Sequence, residues 1–284
     1  MNKLVELENV SKTYPNKKVL SNISLDIYEN QVIAILGGNG TGKSTILQII
    51  AGLERPSSGK VIYAEQTMKI SYVPERFPKH LRFTPSEYLN YIGKISGCSS
   101  EYLNKRIPYL LHRFQLDTLN THWIRDLSKG NVQKVGIIQA ILKQPKLLIL
   151  DEPISGLDLH AQQELMAVMK ELKAQGTTIL LTYHESTILE TLVDNIYYLH
   201  NGLLSKDNLN MNDNEQTKLI VVKQLDEQIV KQWHEVIHME SRDNRLLLYV
   251  HATNSDAILA RILQQQGSIE YVSTQNFDDN VTIK

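Results

Sequence analysis

The chain has 284 residues, 42% of them hydrophobic, which is material for one substantial domain and a smaller one. With 30 Lys and Arg against 31 Asp and Glu the formal charge is −1, so no general basic field draws the chain onto nucleic acid, and none is expected as a partner. A single cysteine, Cys98, precludes an intramolecular disulfide and fits a reducing compartment, and no apolar run approaches the roughly 20 residues that cross a bilayer.

The N-terminal stretch MNKLVELENVSKTY alternates apolar and polar residues like a strand and lacks the apolar core of a signal peptide. Lys3 to Val10 and Val19 to Ile27 read as antiparallel strands joined by a turn at Pro15-Asn16, beside Tyr14. The apolar run Val32 to Leu36 leads into Gly37-Gly38-Asn39-Gly40-Thr41-Gly42-Lys43-Ser44, followed by Thr45 and the helix-compatible Ile46 to Ala51. Strand, glycine loop and helix are the context that G-x-x-x-x-G-K-[ST] requires. Glycines let the backbone curl and turn its N–H groups toward a phosphate chain at the positive end of the helix. Lys43 then reaches the β- and γ-phosphates and Ser44 holds Mg²⁺.

Two more strands are expected at Gly59 to Tyr63 and Lys69 to Val73. After Pro74 the pattern becomes helical. Thr84-Pro85-Ser86-Glu87 is a capping box opening a helix to about Ile95, and a second helix covers Glu101 to Phe114, interrupted or bent at Pro108. A third starts after Leu127-Ser128-Lys129-Gly130-Asn131, with Val132, Val135, Ile138, Ile141 and Leu142 at helical spacing. The strand Leu147 to Leu150 ends on Asp151-Glu152-Pro153. A helix from about Leu159 to Ala174, a strand Thr178 to Thr182 before His184, and a hairpin at Asn201-Gly202 complete an α/β core.

Residues 207–217, dense in Asn and Asp, read as a linker. Residues 218–284 follow as a small α+β accessory domain without a chemical motif. Strands are expected at Lys218 to Val222, near Val236, at Leu246 to Val250 and at Ser268 to Ser273, with helical stretches before Trp233 and over Ser255 to Gln265.

The four ordered segments GGNGTGKS, LSKGN, LLILDEP and His184 make residues 1 to about 206 resemble the ATP-binding subunit of an ABC transporter. The resemblance implies a P-loop NTPase core with an antiparallel β subdomain and an inserted helical subdomain at about 76–145. It implies ATP and Mg²⁺ as ligands and gives each motif a role. Tyr14 matches the aromatic platform for adenine, although a turn aromatic filling a surface groove would read the same way. Gly37 to Thr45 hold the phosphates, Asp151 holds Mg²⁺ directly or through water, Glu152 is the general base, and His184 matches the switch histidine at the γ-phosphate. Ser128, Lys129, Gly130 and Asn131 form the signature that meets ATP held by a second cassette, and Ser155 and Asp158 belong to the loop that faces that cassette.

Three positions in two segments depart from the family pattern. Lys129 and Asn131 alter LSGGQ; the Lys129 cation can approach the phosphates or point into solvent. Glu75 replaces the usual glutamine of YxPQ, keeping an oxygen for the metal but losing an amide donor. The resemblance further implies a dimer of cassettes, identical or paralogous, at the cytoplasmic face of the membrane, driving separate transmembrane permease subunits. The LSKG variant and the appendage look like those of bacterial exporters of peptides, antibiotics or lipids. A non-hydrolysing regulatory cassette is the remaining alternative, against which intact Lys43, Asp151, Glu152 and His184 argue.

Overall fold

The computed structural model describes residues 2–15, 17–183, 189, 191–206, 217–242, 245–251 and 254–275. His184 and nearly all of the expected linker lie outside them. The chain divides into two compact units, Met1–Asp207 and Asn208–Lys284.

In the first unit a six-stranded sheet has the order β5-β6-β7-β3-β8-β9. Its strands are β3 (Val32–Leu36), β5 (Ile70–Val73), β6 (Leu147–Leu150), β7 (Thr178–Thr182), β8 (Asn195–His200) and β9 (Leu203–Ser205). All neighbours are parallel except the β8–β9 hairpin, which turns at Asn201-Gly202 with both residues in the left-handed region, φ 47° and 75°. Because side chains alternate along a strand, the sheet supplies two cores. Val32, Ala34, Leu148, Leu150, Ile179 and Leu181 face one side; Ile33, Ile35, Leu147, Ile149 and Leu180 face the other. Burial on both faces explains why β3, β6 and β7 read as unbroken apolar runs.

The second of these faces packs on α1 (Lys43–Ile50) and on a three-stranded antiparallel sheet, order β2-β1-β4, formed by β1 (Lys3–Tyr14), β2 (Lys17–Tyr28) and β4 (Ser58–Tyr63). Of the two strands expected after the first helix, one therefore joins this sheet and the other, β5, joins the parallel one. The first face packs on α2 (Pro85–Ile95), α3 (Ser100–Arg113), α4 (Lys129–Leu142) and α5 (Leu159–Ala174). Thr84 caps α2 with the full reciprocal box. Helix α3 runs through Pro108 without the expected interruption. Its buried face, Leu103, Ile107, Leu110 and Leu111, holds it against the core, and tertiary burial outweighs the one hydrogen bond proline removes. Helix α4 is buried almost all round, including the polar Gln133 and Lys134.

The second unit has a four-stranded antiparallel sheet, order β11-β12-β10-β13, made of β10 (Thr217–Lys223), β11 (Val236–Arg242), β12 (Arg245–His251) and β13 (Ser268–Gln275). With the one-turn α6 (Glu227–Val230) after β10 and α7 (Ser255–Gln264) before β13, the succession is βαββαβ, a split βαβ arrangement. Ile258 and Ile262 of α7 pack on Ile220, Val222, Leu246, Leu248 and Val250 to form its own core.

Leu148, fully buried in β6, should be costly to truncate. The Leu148→Ala variant is expected to lose about 2–5 kcal/mol of stability in urea unfolding, since the two-sided sheet cannot collapse into the space left.

Candidate functional site

The carboxyl ends of β3, β6 and β7 adjoin one another, so the segments that follow them meet at one edge of the sheet. After β3 the chain turns through Gly37, Gly40 and Gly42 with φ of 155°, 72° and 108°. A Cβ at Gly37 would lie 2.4 Å from the Leu199 carbonyl oxygen, and one at Gly42 would lie 2.6 Å from Val19 Cγ1, so these two glycines are required by close approach of the chain. Gly40 has open space around it. Thr41 Oγ1 donates to the Gly38 carbonyl at 2.9 Å, closing the loop. Ser44 and Thr45 lie half-buried in the first turn of α1.

Lys43 is 6% exposed. Its Nζ donates to the Gly37 and Gly38 carbonyls at 2.9 Å each and stands 3.8 Å from Glu152 Oε1. Burial pushes the ammonium below the usual lysine range, opposed by the charges of Glu152, Asp151 and Glu75. The loop lysine and the three carboxylates singled out from the sequence are thus gathered around one buried cation.

Asp151 is also buried, and both its oxygens are engaged. Oδ1 accepts from Thr182 Oγ1 at 2.8 Å and Oδ2 accepts from the Tyr72 hydroxyl at 3.3 Å. Glu152 adopts φ 47°, unusual for a residue with a side chain, and its N–H donates to Thr182 Oγ1 at 2.9 Å. Tyr72 is pushed up to about 12 by burial and by the neighbouring Asp151 charge. Glu75, at the end of the segment after β5, has Arg76 at 3.6 Å, and Gln133 of α4 donates to the Pro74 carbonyl beside it at 3.2 Å.

Hard oxygen donors from Ser44, Asp151 and Glu75 suit Mg²⁺. Among the described residues no group of three or more His, Cys, Asp or Glu side chains could cage a metal alone.

Tyr14 ends β1, 38% exposed, with the Lys12 ammonium 5.1 Å from its ring centroid. Across the hairpin Lys17 Nζ donates to the Gly40 carbonyl at 3.5 Å, tying the Tyr14 turn to the glycine loop.

A second cluster joins the signature to the loop after Glu152. Ser128 is the N-cap of α4, its hydroxyl accepting from the Asn131 N–H at 3.2 Å. Asp158 caps α5 through the Ala161 N–H at 2.8 Å and pairs with Lys134 Nζ at 2.7 Å. The Lys134 hydrogen bond, then the Ala161 N–H, holds the Asp158 carboxyl below its ordinary value. A Cβ on Gly130 would meet the Gly156 carbonyl oxygen at 2.4 Å, and the aliphatic stem of the exposed Lys129 lies beside Gly156. Ser155 N–H donates to the Glu152 backbone carbonyl at 3.1 Å, so this loop begins at the Glu152 backbone.

Three residues here were missed from the sequence: Tyr72, Thr182 and Lys134. Two carried a legible signal. Thr182 is a hydroxyl ending the apolar run Ile179-Leu180-Leu181, and Lys134 is a charge within the apolar stripe of α4.

Gly130→Ala is expected to lower stability by about 1–3 kcal/mol, whereas Lys129→Ala should leave it unchanged; denaturant midpoints of both variants check this. With Tyr72 raised from 10.0 to about 12, its contribution to stability is present below pH 10 and fades as pH rises toward 12. Burial also raises Tyr63, Tyr88, Tyr102 and Tyr197, so alkaline titration by ultraviolet absorbance should show several tyrosines ionising late, with one of the late ionisations lost in Tyr72→Phe.

Residues 20–155 match the family model described as ABC transporter. The chain is 36% identical over 198 residues to an uncharacterized ABC transporter ATP-binding protein of Methanocaldococcus jannaschii, covering 70% of this chain and 74% of the relative. It is 32% identical to a zinc import ATP-binding protein of Buchnera aphidicola, over 72% of this chain and 83% of that one. It is 30% identical to a lantibiotic transport ATP-binding protein of Streptococcus pyogenes, over 70% and 88%. Among solved structures it is similar to an ATP-binding subunit of an ABC transporter, with a TM-score of 0.67, 31% identity and coverage of 72% of this chain and 90% of that one. It is also similar to a dimeric ATP-binding cassette in a post-hydrolysis state bound to ADP and Pi, with a TM-score of 0.64, 29% identity and coverage of 72% and 98%. A glycine loop closed around a buried lysine, two carboxylates at the next strand end and this likeness to relatives along most of their length lead to one conclusion: the chain belongs to the ABC transporter family, as an ATP-binding subunit with ATPase activity.

Proposed function

We propose that the chain hydrolyses MgATP by in-line attack of water on the γ-phosphate, and that the work is delivered to separate membrane subunits which export a peptide, an antibiotic or a lipid. The observation that carries the catalytic part is the convergence of Lys43 Nζ and Glu152 Oε1, 3.8 Å apart, with Asp151 behind them. Lys43 supplies a fixed cation for charge on the γ-phosphate oxygens. Glu152 accepts a hydrogen bond from the attacking water and takes its proton as the bond from the γ-phosphorus to the bridging oxygen breaks and ADP leaves. Ser44, Asp151 and Glu75 would hold Mg²⁺, which when bound neutralises phosphate charge. Gly37 to Thr45 embrace the phosphates, Tyr14 stacks on adenine, and His184, outside the described residues, contacts the γ-phosphate.

A second cassette completes the site. Ser128, Lys129, Gly130 and Asn131, together with Ser155 and Asp158, face the nucleotide of the partner, as the helix N-terminus at Ser128 suits a phosphate. The dimeric relative supports this arrangement. No described helix is long and apolar enough to cross a membrane, so attachment to the cytoplasmic face of the membrane runs through the permease subunits. The helical region offers them a surface. Phe83, Tyr91 and Trp123 are 40%, 59% and 43% exposed around a concavity of about 510 Å³ that also includes Arg82 and Lys94. Export rests on the LSKG signature and the appended second unit, with the lantibiotic relative in its favour and the zinc importer against.

Glu152→Gln should lower kcat about a hundredfold or more while retaining nucleotide, and should accumulate as an ATP-bound dimer on size analysis. Undiminished turnover would remove Glu152 from the mechanism. A variant that stays monomeric in ATP, with the parent inactive alone, would assign the second site to a different chain.

A further inference from the structure

We propose that Thr182 is the positioning residue that holds the Glu152 base and the Asp151 carboxylate in one geometry, through a single hydroxyl. The inference rests on the proposed role of Glu152 and extends it to a residue no motif of this chain includes.

Thr182 is the last residue of β7 and is fully buried. Its Oγ1 donates its only proton to Asp151 Oδ1 at 2.8 Å. One lone pair of the same oxygen accepts the Glu152 N–H at 2.9 Å. A hydroxyl has one proton to give, so giving it to Asp151 leaves Oγ1 only as an acceptor toward Glu152, and the two bonds fix each other's direction. β7 lies next to β6 in parallel register, Leu150 opposite Leu181, which brings Thr182 level with the carboxylate pair.

The backbone at Glu152 explains why such a tie is needed. With φ 47° the residue occupies a region that disfavours any side chain, and such a conformation persists only where surrounding contacts over-determine it. The Glu152 N–H bond to Thr182 is one such contact. The Ser155 N–H to Glu152 carbonyl bond is another, closing the turn from the opposite side. This turn aims Oε1 at Lys43. Without the hydroxyl, the Glu152 N–H loses this acceptor and Asp151 Oδ1 loses this donor, but Tyr72 still holds Asp151 through Oδ2, so the larger displacement falls on the base. Tyr72 reaches Asp151 from the Oδ2 side and does not replace the Thr182 bond to the Glu152 N–H.

The hydroxyl does not touch the reacting atoms, and its effect therefore falls on the chemical step and not on nucleotide affinity. Thr182→Val is expected to lower kcat about tenfold or more, with KM for ATP and the affinity for a fluorescent nucleotide analogue within about twofold of the parent. Thr182→Ser, which restores the hydroxyl, should recover most of kcat. In a Glu152→Gln background Thr182→Val should cost clearly less than it does alone, because the base it positions is already gone and only its bond to Asp151 is left to lose. Thermal unfolding of each variant accompanies the kinetics. If Thr182→Val proves unfolded, Thr182→Cys, of similar size but a weak hydrogen-bonding partner, takes its place with the same expectation.

Multiplicative loss in the double variant, full activity of the Val or Cys variant, or failure of Ser to rescue would each overturn the proposal. Failure of the underlying reading is separable, since Glu152→Gln alone would then keep its turnover.

Discussion

A lysine ammonium buried at the end of a parallel sheet sets the terms for everything around it. An isolated charge there would be prohibitive, so Lys43 must be surrounded by oxygen. Two carbonyls come from the loop that precedes it, and carboxylate charge comes from the ends of β5 and β6. Meeting that demand requires the glycine loop to fold back on itself, β3 to sit one strand away from β6, and Glu152 to bend into a disfavoured backbone region. The proposed catalytic arrangement and the electrostatic balance of the fold are the same set of contacts. Under that proposal, phosphate oxygens of ATP would continue a pattern of oxygen ligation that the protein already maintains.

A second constraint is steric. The signature segment and the loop at Ser155 to Asp158 are pressed together at Gly130 and Gly156, pinned by the buried Lys134 and tethered to Glu152 through Ser155. The residues proposed to face the partner's nucleotide are therefore mechanically continuous with the residue proposed to activate the water that attacks this chain's own. Gln133, one position before Lys134, reaches the Pro74 carbonyl next to Glu75 and links the same helix to the third carboxylate.

How much of this was legible depended on the kind of signal. Strands β6 and β7 carry unbroken burial patterns and helix α5 a one-sided buried stripe, and their limits were readable to the residue. Glycine spacing placed the loop because only glycine fits the approach of Leu199 and Val19. At Pro108 the interruption did not occur, because the local penalty of proline was set against a helix face whose burial the linear pattern understates. The split βαβ order of the second unit was hidden for another reason: which strands pair is a non-local choice that alternation along one strand does not encode. Within the site, motif residues were visible and their supports were not. Thr182 and Tyr72 act through single hydroxyls across strands far apart in sequence; the end of the apolar run Ile179-Leu180-Leu181 marks Thr182 as a polar residue without giving its partners, and nothing in the immediate neighbours of Tyr72 marks it.

The contact between Gly130 and Gly156 has a consequence for how sequences of this kind can drift. These two positions share one small volume, and any atom added at the first displaces the backbone at the second. Lys129, whose head is exposed, is under no such restraint. Divergence of the signature is thereby channelled to its outward positions, where a cation can be gained or lost freely, while the inward glycine is held by the shape of a loop 26 residues further along the chain.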